Sequence, residues 1–339
     1  MSHVLSTKRV AVLAALLMIL NIGLLAGCGQ KKVPDEHIQD AEILVEDVDA
    51  AAEGMEPEYN PNHFPDVPTQ VNKIGETYFL VDCYNDQVVF NDDVCAPLYE
   101  WKVMASGINK GHTVASDGVI YLVDDTENNC VQIFERRGEV FVNSQVLRDI
   151  GLRPHYIVYD ETRDVFYAWS SLTGQMYVIR RDKETNQAYV CQILSIEELN
   201  GVYVRSFTII GDDIYFVSGN CQIIQAALDD FEIENRYVVP LEMAGMVQIM
   251  PAEDQFLITI STDANGDQSV ATIIQAEKLE KLYEGEYKDV YENFVGGGTP
   301  YYMTKIDDTY YLTEHRVPGH SVWSFEFKDG EICNVKAIF

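Results

Sequence analysis

The sequence predicts an all-β fold, a six-bladed β-propeller over residues 68–339. Two observations carry this reading: an aromatic-aliphatic run recurs six times, and turn residues bracket each run at a spacing of about 45 residues. The runs occupy 78–82, 120–124, 166–170, 214–218, 256–260 and 310–314. Their equivalent positions Phe79, Tyr121, Tyr167, Tyr215, Leu257 and Tyr311 are 42, 46, 48, 42 and 54 residues apart.

Each unit reads as four strands. A short apolar strand and a turn precede the run, as in Thr113-Val114-Ala115-Ser116-Asp117-Gly118. The run itself is the second strand. A polar turn and a third strand follow, as in Val131-Gln132-Ile133-Phe134, and a less apolar fourth strand closes the unit. Nearly continuous apolar runs suit strands covered on both faces by neighbouring blades. A sandwich would not repeat one four-strand unit six times, and a β-solenoid would have shorter, more uniform coils.

The N-terminus predicts export and a lipid anchor. Lys8 and Arg9 precede an apolar stretch, Val10 to Leu25, that is short for a membrane span and suited to a signal-peptide core. It ends in Leu25-Ala26-Gly27-Cys28, the lipobox pattern of bacterial lipoproteins. Small residues before the cysteine fit a signal peptidase, and the Cys28 thiol is the expected acceptor of the lipid. Residues 1–27 are thus expected to be a lipoprotein signal peptide and 28–67 a lipidated N-terminus with an acidic flexible tether, rich in Asp, Glu, Ala and Pro. The expected location is the outer face of a cell membrane, with the membrane as partner through the anchor.

Removing Lys8 and Arg9 with the leader takes the formal charge from −30 to −32. Nucleic acid is excluded as a partner at that charge. Six cysteines follow Cys28, with no CxxC and no metal-like spacing. Export permits disulfides, but a chain of this size needs none, and mostly unpaired buried thiols are expected. A monomer is expected.

The segments Pro154-His155-Tyr156-Ile157-Val158, Tyr121-Leu122-Val123-Asp124 and Asn128-Asn129-Cys130-Val131-Gln132-Ile133-Phe134 resemble the repeat of NHL-type six-bladed propellers. The resemblance is sharpest in blades 1 to 3. It implies the architecture and leaves function open, since such rings serve as scaffolds, ligand binders, lyases and hydrolases.

In a propeller, first strands start and second strands end on one face, at the mouth of the central channel. All four histidines of the domain, His112, His155, His315 and His320, fall at such positions, and Lys110, Arg153, Arg205 and Arg316 join them. Basic donors gathered at one mouth of an acidic protein focus field on an anionic or polyhydroxyl ligand. With Tyr301 these residues form the expected ligand site. His112 and His155 hold equivalent positions in adjacent blades. They look like the inner-strand histidines of zinc-holding propeller lyases, so a divalent metal on His112, His155 and His320 is a second expectation. Asp263-Ala264-Asn265-Gly266-Asp267 reads as a hairpin turn rather than a calcium loop. The leading functional expectation is a surface lipoprotein binding a polar, anionic or saccharide ligand. The alternatives are a metal-dependent lyase or hydrolase at the same mouth, and a protein-interaction scaffold.

Overall fold

The computed structural model describes residues 33–339 apart from Val295 and Pro318; the leader and Cys28 lie outside the described residues. Two short strands, β1 (Gln39–Asp40) and β2 (Glu42–Ile43), and one helical turn, α1 (Val48–Ala52), precede a ring of six blades. Blade 1 is β3 (Pro68–Ile74), β4 (Thr77–Asp82), β5 (Gln87–Asn91) and β6 (Lys102–Ser106). Blade 2 is β7 (Val114–Ser116), β8 (Ile120–Asp125), β9 (Cys130–Arg137) and β10 (Val140–Leu147). Blade 3 is β11 (Pro154–Asp160), β12 (Val165–Ser170), β13 (Gln175–Arg181) and β14 (Ala188–Ser195). Blade 4 is β15 (Val204–Ile210), β16 (Asp213–Ser218), β17 (Gln222–Ala227) and β18 (Ile233–Val238). Blade 5 is β19 (Met246–Ala252), β20 (Gln255–Ile260), β21 (Thr272–Ala276) and β22 (Lys288–Asp289). Blade 6 is β23 (Thr299–Ile306), β24 (Thr309–His315), β25 (Val322–Lys328) and β26 (Glu331–Ala337). Within each blade the strands pair antiparallel in sequence order, so each blade is one contiguous meander and the predicted architecture stands.

Local chemistry explains the repeat. Every hairpin between first and second strands turns through a residue at positive φ: Gly75, Gly118, Asp164, Gly211, Glu253 or Asp307. The recurring runs form the second strands, and their aromatic members pack between blades. Phe79 meets Tyr121 at 5.6 Å across blades 1 and 2, and Trp169 meets Phe216 at 4.5 Å across blades 3 and 4. Trp101 of blade 1 meets Phe339 at 5.8 Å, closing the ring against blade 6. Side chains of the first and second strands also reach the backbone of the next blade. Thr69 Oγ1 donates to the His112 carbonyl at 2.8 Å, Ser206 Oγ to Val247 at 2.6 Å and Thr313 Oγ1 to Thr69 at 2.8 Å.

The segment read as a flexible tether departs from expectation over 38–60. β1 adds to the outer edge of blade 3 beside β14, and β2 to the outer edge of blade 2 beside β10. Val103 of β6 then donates to the Glu58 carbonyl at 2.7 Å, so the strap continues onto blade 1. Asn60 is buried and bonds Leu98 and Gln87. The physical reason is that outer strands leave unpaired N–H and C=O groups that accept a further strand whatever its side chains. The acidic residues meet arginines on the ring: Glu42 pairs with Arg148 at 2.5 Å, Asp49 with Arg137 and Asp35 with Arg180. Composition registers neither effect.

All six described cysteines are unpaired. The 263–267 segment is a turn in which the Asp263 carboxylate accepts the amides of Asn265 at 2.7 Å and Asp267 at 2.8 Å. Among the described residues no helix is long and apolar enough to cross a membrane.

Candidate functional site

The channel mouth is shaped by irregular backbone. Five first strands carry a register shift near their start, at Pro68/Gln70, Pro154/Tyr156, Val204/Phe207, Met246/Gln248 and Pro300/Met303. An extra residue there changes where side chains point. It lets the Tyr301-Tyr302 pair and His155 converge on the axis.

His155 is the hub. It is fully buried. Its Nδ1 lies 2.8 Å from the Tyr302 hydroxyl and 3.1 Å from the Arg205 carbonyl, and its Nε2 lies 2.9 Å from the Tyr203 hydroxyl. A carbonyl facing Nδ1 requires that nitrogen to carry the proton, so Nε2 accepts from Tyr203. Burial, reinforced by His112, Arg205 and Arg153, pushes the His155 pKa well below its ordinary value, so the ring stays neutral. Tyr302 donates to the Arg205 carbonyl at 2.8 Å. Burial drives both Tyr301 and Tyr302 well above the ordinary tyrosine range.

His112 stacks on His155 with ring centroids 3.7 Å apart. Its Nδ1 is 3.0 Å from Thr126 Oγ1, and its Nε2 is 4.0 Å from Cys83 Sγ. Asp124 stands behind, accepting from the His112 and Thr113 amides at 2.9 and 2.6 Å and from Thr126 at 2.9 Å. The Cys83–His112–Asp124 line has the residue types of a nucleophilic triad. Burial nevertheless pushes the Cys83 thiol up to about 12, so it remains a protonated donor to the ring. His315 stacks on Tyr301 at 4.6 Å, its Nε2 3.1 Å from the Pro68 carbonyl, and burial pushes its pKa down to about 4.

The structure therefore brings His112, His155, Tyr301 and His315 together, with Arg205 beside them. It does not do so for the rest of the predicted set. Arg153 pairs with Glu127 at 2.5 Å, and Lys110 with Asp86 at 3.0 Å while lying over the Tyr84 ring. Arg316 is spent on blade 6, donating to Thr299 Oγ1 at 2.6 Å and the Gly298 carbonyl at 2.9 Å. His320 stacks on Trp323 at 5.4 Å, near the Glu314 carboxylate that Trp323 holds at 2.9 Å. Gly298 has no room for a side chain, since a Cβ there would fall 1.9 Å from that carboxylate.

The His112, His155 and His320 metal set is not assembled. Among the described residues no three His, Cys, Asp or Glu side chains are grouped to hold a metal ion. The Nε2 atom of His155 that would bind one is already an acceptor for Tyr203, so the donor set does not fit a three-ligand site.

Arg205 is different from the other basic residues. Its guanidinium lies 4.7 Å over the Tyr203 ring and has no carboxylate partner among the described residues. Its charge helps depress the His155 and His315 pKa values. Tyr203 and Tyr302 were absent from the residues singled out by sequence. The Tyr301-Tyr302 doublet at a strand start was the available signal, since two adjacent aromatics can both enter a channel only across a bulge.

No family model and no curated protein sequence matches the chain. Solved structures do match in fold. One is the virginiamycin B lyase of Staphylococcus aureus with quinupristin, at 12% identity and a TM-score of 0.53 over 84% of this chain and 88% of that one. A streptogramin B lyase gives 12% identity and a TM-score of 0.54 over 82% and 85%. The hydrazine synthase of Kuenenia stuttgartiensis gives 14% and 0.53 over 81% and 79%. At these identities the likeness establishes the propeller fold alone.

Proposed function

We propose that the chain is a lipid-anchored surface protein of NHL-type propeller architecture whose channel mouth, at Arg205, binds a polar anionic or saccharide ligand. The observation that carries the ligand reading is the unpaired Arg205 guanidinium in a protein of 54 acidic residues. A cation without a carboxylate partner, framed by the phenols of Tyr203 and Tyr301, is free to take a ligand's charge. The anchor rests on the Leu25-Ala26-Gly27-Cys28 pattern. On this reading only ten residues separate Cys28 from β1. That spacer spans at most about 35 Å when extended, far less than a tether of forty residues would.

Two measurements test the two halves. Titrating a panel of uronates, phosphates and carboxylates should identify a ligand that Arg205→Ala weakens by about 1–3 kcal/mol, the worth of a charge-assisted hydrogen bond. Arg153→Ala should change little, because its partner is Glu127. Equal affinity of wild type and Arg205→Ala for every ligand found overturns the site. Cys28→Ala should abolish incorporation of a lipid label and release the protein from membranes; unlabelled wild type overturns the anchor.

A further inference from the structure

A second opening of the central channel lies at its other end. A cavity of about 530 Å3 enters between the far ends of the first strands and runs inward to Gln70 and Tyr156. It does not join the mouth described above. Tyr156 packs edge-on against Tyr302 at 4.8 Å and takes a hydrogen bond from Gln248 Nε2 at 3.0 Å, and Tyr302 in turn bonds His155. That layer plugs the axis.

The polar groups of the cavity wall are unevenly spent. Gln70 is 5% exposed, and its Oε1 accepts the Val114 amide at 2.9 Å. That bond fixes the amide's orientation and leaves Nε2 on the cavity side, without a hydrogen-bond partner among the described residues. Gln248 Oε1 is consumed by the Met303 amide at 2.6 Å, and Asn72 Oδ1 by the Lys73 amide at 2.8 Å. The Tyr156 hydroxyl accepts from Gln248 and keeps its own proton to give. Asp117 on the rim is fully engaged, by Arg181 at 2.6 Å and by the amides of Val119 and Ile120 at 2.9 Å. Lys305 lines the cavity, lies 5.3 Å over the Tyr310 ring and has no carboxylate partner among the described residues. Lys73 holds only the exposed Glu76, at 3.5 Å. The amide and carboxylate oxygens of Gln70, Gln248, Asn72 and Asp117 are thus engaged while donors remain, and Glu161 at the exposed outer lip is an uncommitted acid. Met250 and Met303 supply an adaptable apolar wall.

We propose that this cavity is a second binding site, for a small organic anion: a carboxylate directed at Gln70 and Lys305, carrying an apolar chain against Met250 and Met303. An unpartnered buried amide N–H and an unpaired ammonium satisfy a carboxylate's lone pairs, and neither accepts a hydrogen bond from a neutral alcohol. The site is independent of the mouth at Arg205.

The test is calorimetric titration of the full chain with hexanoate, hexanol and inorganic phosphate. Hexanoate should bind, and bind more tightly than either of the others. Lys305→Gln, on the exposed rim, should weaken hexanoate about tenfold or more. Gln70→Glu keeps an oxygen for the Val114 amide but puts a carboxylate where the donor stood, and should abolish binding. Arg205→Ala should leave hexanoate binding unchanged. Hexanoate no tighter than hexanol, or indifferent to Lys305→Gln, overturns the proposal. So does binding lost in Arg205→Ala, which would assign the anion to the other mouth.

Discussion

Removing residues 331–339 should abolish the cooperative unfolding transition of the entire ring. β26 supplies the outer strand of blade 6, pairing with β25 from Trp323↔Ala337 to Lys328↔Glu331. The last two residues do more than finish an edge. Phe339 packs across the seam on the fully buried Trp101, and its carbonyl accepts from Ser321 at 2.6 Å. The seam cluster also holds Val71, Leu80, Val89, Tyr311 and Val322. Loss of the strand exposes that cluster to water and opens the β25 edge, and a ring with one incomplete blade has lost the closure that protects all its edges. The expected result is a broad thermal transition by circular dichroism, with β signal retained and the sharp melt gone. Phe339→Ala isolates the seam. It should preserve a single transition and cost about 3–5 kcal/mol, the range for truncating a buried aromatic, less to the extent that this terminal ring is partly exposed. A truncated chain melting as sharply as wild type, within about 1 kcal/mol, would show that closure contributes nothing.

The sequence announced the ring because a blade is a local object. Strand alternation and turn residues are set within one unit, and successive members of the recurrence, Phe79 to Tyr121 and Tyr121 to Tyr167, lie within 50 residues of each other, so the repeat is visible without any long-range contact. The site was legible only as a set of positions. Lys110 and Arg153 precede first strands, yet their side chains are held by Asp86 and Glu127, which lie some 25 residues upstream on the preceding blade's turn. A residue's repeat position says nothing of a neighbour's carboxylate. His320 fell to a related effect: its loop is long, so distance along the chain no longer tracks distance from the axis. The bulges at five strand starts were invisible because one additional residue changes no composition, but they decide whether a side chain enters the channel. The strap failed for the opposite reason. Its side chains are those of a solvated linker, and what docks it is backbone.

His155→Ala separates a histidine that plugs the channel from one that waits for a ligand. A ligand-waiting residue at an open rim can be truncated at little cost to stability. His155 is instead fully buried and bonded to Tyr302, Tyr203 and the Arg205 backbone. Truncation leaves a cavity, strands the Tyr203 hydroxyl and removes the donor that Tyr302 accepts from, while Tyr302 keeps its bond to the Arg205 carbonyl, so about 2–4 kcal/mol should be lost at pH 7. Arg205→Ala, by comparison, should cost under about 1 kcal/mol, since its guanidinium carries no ion pair in the fold. The pH dependence sharpens the distinction. The folded-state pKa of His155 lies below its ordinary value of 6.5 because burial penalises the charged ring. The unfolded chain therefore binds the proton more readily, and the stabilisation that His155 confers is complete above about pH 6.5 and declines as pH falls below it. His315, pushed down to about 4, acts in the same sense, while Asp82, raised by burial to about 6, acts in the opposite one. Both are present in wild type and variant alike and cancel in the comparison. The difference in stability between wild type and His155→Ala should therefore be largest near pH 7 and shrink steadily towards pH 4.5, measured by denaturant melts across that range. A deficit below about 0.5 kcal/mol at pH 7, or one that grows on acidification, would mean that His155 is not the neutral, buried plug its contacts describe.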